Sequence, residues 1–88
     1  MTDLTFQGSA WDEYVWWQGQ DRRTLRRIND LLKAIRRDPR QGLGQPEELR
    51  GQFAGAWSRR IDEQNRIIYE IGDDTISIVA CRGHYRDR

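Results

Sequence analysis

Ala56-Trp57-Ser58-Arg59-Arg60-Ile61, Asn65-Arg66-Ile67-Ile68-Tyr69-Glu70-Ile71 and Thr75-Ile76-Ser77-Ile78-Val79-Ala80-Cys81-Arg82 follow one another with only Asp62-Glu63-Gln64 and Gly72-Asp73-Asp74 between them. β-Branched and aromatic residues fill the runs and turn formers fill the gaps, so the stretch predicts three strands, 56–61, 65–71 and 75–82. Links this short return the chain on itself and make an antiparallel meander. Strand alternation groups Trp57, Arg59 and Ile61 on one face, Arg66, Ile68 and Glu70 on another set, and Ile76, Ile78, Ala80 and Arg82 on a third. The arginines are aimed by the pleat.

Upstream the period changes from two to about 3.6. Leu4-Thr5-Phe6 reads as a short strand running into Gly8-Ser9, an N-cap. Trp11, Tyr14, Val15 and Gln18 then share helical spacing, which predicts a helix over 9–18 stopped by Gly19. Asp21 can cap a second helix in which Leu25, Ile28, Leu31, Leu32 and Ile35 recur at three- and four-residue steps until Asp38-Pro39. Trp16 and Trp17 suit packing in the seam and at its edge. Residues 41–51 read as a loop, with a helical turn starting at Pro46. The expected fold is α+β: an N-terminal strand and a helical hairpin packed on one face of a mainly antiparallel sheet, with the other face open.

Eighty-eight residues make a single domain, 1–88, and exclude a two-domain enzyme. One cysteine cannot form an internal disulfide, and no CxxC or Cys/His cluster offers a metal site. That suits a reducing cytoplasm. Met1-Thr2-Asp3-Leu4 carries no signal-peptide pattern, and no stretch approaches the roughly 20 apolar residues that span a bilayer, so no membrane association is expected. The net charge of +1 hides an asymmetry: residues 1–21 hold four acids and no Lys or Arg, whereas residues 22–40 hold eight bases and two acids. Only Lys33 among the basic residues is lysine. Arg22, Arg23, Arg26, Arg27, Arg36 and Arg37 either solvate one helix face or meet a polyanion, and composition leaves both readings standing.

His84 is the sole imidazole, set beside Tyr85 where the third strand runs out. It is the side chain best placed to exchange a proton near neutral pH. With arginines on an open sheet face and Glu47 in the preceding loop, a base, an acid and cationic clamps are at hand. Those three roles suffice for metal-free RNA cleavage by the 2′-hydroxyl. The bland rivals are that Glu47 and Glu48 are solvated turn acids, that Arg59, Arg60 and Arg66 are strand-surface residues, and that Tyr85 seals a sheet edge. Arginines beside Trp57 and Tyr69 favour nucleic acid, since cations interleaved with aromatics suit phosphates and stacked bases.

As an ordered set, Trp11-Asp12-Glu13-Tyr14 with Trp17, Ile28-Asn29-Asp30-Leu31, Arg36-Arg37 and Pro39, Gly42-Leu43-Gly44-Gln45-Pro46-Glu47-Glu48-Leu49, Trp57-Ser58-Arg59-Arg60-Ile61, Asn65-Arg66-Ile67-Ile68-Tyr69 and Ala80-Cys81-Arg82-Gly83-His84-Tyr85 resemble the YoeB family of toxins within the RelE superfamily. The resemblance covers nearly the whole chain. It implies a ribosome-dependent mRNA interferase that is neutralised by a YefM-like antitoxin and is a homodimer; because the acids lie scattered in turns and caps rather than converging as a two-metal nuclease requires, no cofactor or metal is expected. It also implies that the ribosome holds mRNA in the A site. Position by position it implies Glu47 as general base, Arg66 as the phosphate-stabilising arginine, His84 as general acid and Tyr85 as an active-site tyrosine, with Arg59 and Arg60 a basic pair near the substrate. Two departures stand out: Pro46-Glu47-Glu48-Leu49 has an extra acid where the family pattern has Pro-Glu-Pro-Leu, and Arg86-Asp87-Arg88 extend past the His-Tyr pair. The rival functions are a non-catalytic ribosome- or RNA-binding module, and a ParE-like gyrase inhibitor, which would lack the Glu, His and Tyr set.

Overall fold

A computed structural model describes residues 2–84. The elements run β1 (Asp3–Phe6), α1 (Gly8–Gln18), α2 (Arg22–Arg37), β2 (Glu47–Glu48), a 3-10 turn (Gly51–Phe53), β3 (Ala56–Arg60), β4 (Arg66–Ile71) and β5 (Thr75–Ala80). They form one five-stranded sheet in the order β1-β5-β4-β3-β2, with both helices on one face. The β2-β3-β4-β5 part is antiparallel and β1 joins β5 in parallel, so the sheet is mixed. Parallel pairing of β1 requires a crossover, and the helical hairpin supplies it. Among the described residues no helix is long and apolar enough to cross a membrane.

The helices form where the periodicity puts them. Asp21 caps α2 by accepting from the N–H groups of Arg23 and Thr24, and its carboxylate also takes the Thr24 hydroxyl at 2.8 Å. The Thr24 hydroxyl, followed by the Arg23 N–H, holds the Asp21 carboxyl below its usual range. Ile28, Leu31, Leu32 and Ile35 are buried against the sheet, each contributing on the order of 1.5–3 kcal/mol of transfer free energy. In α1, Ala10 and Trp17 are buried, and the Tyr14 hydroxyl donates to Asn29 Oδ1 at 2.7 Å, tying the hairpin together. The cap of α1 is Gln7, not the expected Gly8-Ser9: Gln7 is extended and its carbonyl already accepts from the Trp11 N–H, so the helix starts at Gly8.

The meander is present with shorter strands than the sequence predicts. The Ile61 N–H turns to the Asn65 carbonyl, which opens the β3-β4 turn and ends β3 at Arg60. Asp62 closes that turn by accepting from the N–H groups of Gln64 and Asn65. The helical turn expected from Pro46 is absent; Glu47–Glu48 pair with β3 as a two-residue edge strand, and the 3-10 turn comes later. A bulge between Ile68 and Tyr69 shifts the β4-β5 register, and β5 ends at Ala80 rather than Arg82.

Candidate active site

Register decides which predicted residues share a surface, because directly opposed residues of paired strands point to the same side. Trp57 faces Tyr69 and Arg59 faces Ile67, and this side is packed under the helices. Ser58 faces Ile68 and Arg60 faces Arg66 on the other side, which no helix covers. In β2, Glu47 lies opposite Ser58 and Glu48 opposite Trp57. Glu47 therefore stands on the helix-free side with Arg60 and Arg66, and Glu48 belongs to the opposite side. Glu47 and Arg66 are two strands and two residues apart, a backbone separation of about 12 Å from ordinary sheet spacing. One end of this face is closed by Leu49 and Phe53 packed on Ala56, Ile68 and Ala80. The other end is left to Glu47, Arg60 and Arg66.

His84 reaches this end through the tail. The Arg66 N–H donates to the Gly83 carbonyl at 2.9 Å, and the Gly83 N–H donates to Asn65 Oδ1 at 2.8 Å. Gly83 has φ of 80°, a left-handed conformation that glycine adopts without strain and that turns the chain just before His84. The half-buried His84 is thus one residue beyond a carbonyl that Arg66 itself holds. Tyr85 lies outside the described residues, as does the extension after it.

Arg59 is corrected. Expected near the substrate, it is fully buried on the helix side. Its Nε donates to the Tyr69 hydroxyl at 3.0 Å, Nη1 to the Leu43 carbonyl at 3.0 Å, and Nη2 to the carbonyls of Gln41 and Asp38. A guanidinium with no exposed surface and its donors spent on carbonyls cannot reach RNA; it fastens residues 38–43, the loop that leads to Glu47. The Tyr69 hydroxyl in turn donates a hydrogen bond to the Pro39 carbonyl at 2.6 Å, and burial, partly offset by Arg59, pushes its phenol above the usual value. Tyr69 and the half-buried Trp57 are accordingly parts of the helix-side core, not stacking platforms for bases. Arg60 is half-buried on the open side, opposite Arg66.

Ser58 joins this face without having been among the predicted residues. It is fully buried between Glu47 and Ile68 in the cross-strand row, and its hydroxyl has no hydrogen-bond partner among the described residues. Alternation on β3 was the signal that could have found it. Among the described residues no three His, Cys, Asp or Glu side chains come close enough to hold a metal ion. A hollow lined by Asp30, Lys33, Arg37, Asp38 and Leu43 lies at the far end of α2 and contains none of the predicted residues.

A carboxylate, two guanidiniums and an imidazole-bearing tail lie at one end of the sheet face that no α-helix covers, and these are the residue types that bind an anion and exchange a proton. Residues 6–85 match the family described as the YoeB-like toxin of bacterial type II toxin-antitoxin systems. The chain belongs to this family. Toxin YoeB of Escherichia coli K12 is 45% identical over 82 residues, covering 93% of this chain and 98% of the relative. A YoeB/ParE toxin from Agrobacterium tumefaciens superposes with a TM-score of 0.91 at 41% identity, covering 96% of this chain and all of that one. The YoeB dimer of Staphylococcus aureus superposes at 0.86 and 36% identity, covering 96% and 98% of the two chains. In the heterotetrameric YoeB-YefM complex from the same organism the values are 0.85 and 36%, with coverage of 97% and 99%. The YoeB-like fold of two helices on a mixed five-stranded sheet is the one described above.

Proposed function

We propose that this YoeB-like toxin is an endoribonuclease that cuts translated mRNA in the ribosomal A site without a metal ion. The observation that carries the reading is the register that puts Glu47, Arg60 and Arg66 on one helix-free surface, with the His84 tail fastened to Arg66. Glu47 accepts the proton of the ribose 2′-hydroxyl, and the 2′-oxygen attacks the adjacent phosphorus. Arg66 and Arg60 offset the negative charge of the phosphorane. His84 donates its proton to the departing 5′-oxygen as the P–O bond breaks, leaving a 2′,3′-cyclic phosphate or its 3′-phosphate hydrolysis product upstream and a 5′-hydroxyl downstream. Tyr85 belongs to the same site by the family resemblance. Holding the message is the ribosome's share of the work, which accounts for a substrate surface this small.

A YefM-like antitoxin as the neutralising partner and a homodimer as the assembly follow from the S. aureus relatives, whose structures are a YoeB-YefM complex and a YoeB dimer. The reading is tested by adding purified protein to a translation reaction and mapping new 5′ ends on the message. Cuts at A-site codons, weak on naked RNA, are expected from the wild type and from Glu48→Gln. His84→Gln and Glu47→Gln should each be slowed by roughly 100- to 10,000-fold. Translation arrest without new 5′ ends would overturn the ribonuclease and leave a binding module or another target.

A further inference from the structure

The tail's placement depends on two α1 side chains that the proposed reaction does not use. β1 stops accompanying β5 at Ile78, and the Ile78 carbonyl is taken by the Gln7 N–H. Three residues later Cys81 is fully buried with no strand on that side to meet its peptide groups. Glu13 and Trp17 meet them instead. Glu13 Oε1 accepts from the Cys81 N–H at 2.8 Å, and Trp17 Nε1 donates to the Cys81 carbonyl at 2.7 Å. Residues 13 and 17 are one helical turn apart and so present both groups along one edge of α1. Two residues on, Arg66 at the start of β4 and Asn65 just before it take over by holding Gly83. Between these two grips Arg82 lies 3.6 Å over the Trp16 ring. The chain crosses from helix to sheet over Arg82 and Gly83, and His84 is the next residue.

We infer that Glu13 and Trp17 are positioning residues for the general acid: by fixing both peptide groups of Cys81 they set where the tail leaves the core and hence where His84 stands. This rests on the reading of His84 as the acid. Satisfying buried backbone groups is by itself a structural task. The distinguishing feature is that a displaced acid hurts only a leaving group that needs a proton. A message with sulfur replacing the 5′-bridging oxygen at the scissile phosphate loses a thiolate when its P–S bond breaks. Thiols ionise near pH 8.5, so that departure needs no acid.

Cutting of oxygen- and sulfur-bridged messages on the ribosome is compared for wild type, His84→Gln, Trp17→Phe, Glu13→Ala and Glu13→Gln. On the oxygen message Trp17→Phe and Glu13→Ala should be about 10- to 100-fold slow, the scale of a small misplacement of a catalytic group. Glu13→Gln should stay near wild type, because its amide oxygen still accepts from Cys81. On the sulfur message Trp17→Phe, Glu13→Ala and His84→Gln should all recover. Recovery of His84→Gln alone would show that α1 merely holds the fold, and would overturn the inference. Normal cutting of the oxygen message by Trp17→Phe and Glu13→Ala would overturn it too. Failure of His84→Gln itself to recover would remove the acid reading beneath it. Should Trp17→Phe fail to fold, the contrast of Glu13→Ala with Glu13→Gln carries the same comparison.

Discussion

Arg59 and Arg60 are neighbours with opposite fates, and the difference is one step of the pleat. Arg59 shares a face with Trp57 and Ile61, two apolar residues at i−2 and i+2, which marks it for the covered side; Arg60 shares its face with Ser58. That much was written in the sequence. The hidden part was the lid: three loop carbonyls that make a buried guanidinium tolerable come from residues 38–43, far away along the chain. Spacing alone did not show which faces Glu47 and Glu48 take, and only the resemblance singled out Glu47, since a two-residue strand has no periodicity and its partner fixes its faces. Tyr69 gives a test of the buried cluster. Its phenol titrates above the ordinary value of 10 in the folded chain, so the unfolded chain loses that proton first, and the contribution is whole below pH 10 and lost as pH rises beyond it. Thermal melts of wild type should therefore fall steeply above pH 10. Tyr69→Phe should start lower at pH 8, by about 1–3 kcal/mol for the stranded Pro39 carbonyl and Arg59 Nε–H, and show a flatter alkaline decline. Parallel declines in the two proteins would remove Tyr69 as the cause.

At the scale of elements, the long helix and the three long strands were legible because each repeats its pattern over several turns or pleats. The short pieces were not. β2 forms because residues 41–46 are pressed onto β3: the Arg60 N–H donates to the Gly44 carbonyl at 2.7 Å, and the Leu49 N–H to the Ala56 carbonyl at 2.8 Å. Gly44 is what lets the loop come so close. Its φ is 90°, and a Cβ there would sit 2.5 Å from Leu31 Cδ2 and 3.2 Å from Arg59 Cβ. Gly44→Ala should cost at least about 2 kcal/mol, lowering the melting midpoint by roughly 10 °C in a domain of this size. It should also slow cutting, because Glu47 is carried by the same loop. An unchanged midpoint would mean that the loop stands off the sheet in solution.

Across the whole molecule, the main core lies between the sheet and the helices, a smaller cluster covers one end of the opposite side, and α1 carries an outer surface as well. Trp11 and Val15, one turn apart, are about half exposed on it, and Trp16 beside them is partly covered by Arg82. Such a surface suits a symmetric contact between two copies. Light scattering should give twice the 10.5 kDa chain mass, and Trp11→Lys with Val15→Lys should shift it to the monomer. A monomer mass for wild type at every concentration would count against the dimer. The pairing of β1 with β5 has a consequence of another kind. Thr5 and Thr75 join side chains at 3.0 Å across 70 residues of chain, so the first strand to be synthesised has no partner until the fifth appears. Sheet closure is thus a late, long-range event, of the sort that slows folding. The segment that completes the sheet is followed within four residues by His84, so the tail finds its place only when the sheet closes and both wait on the same late strand.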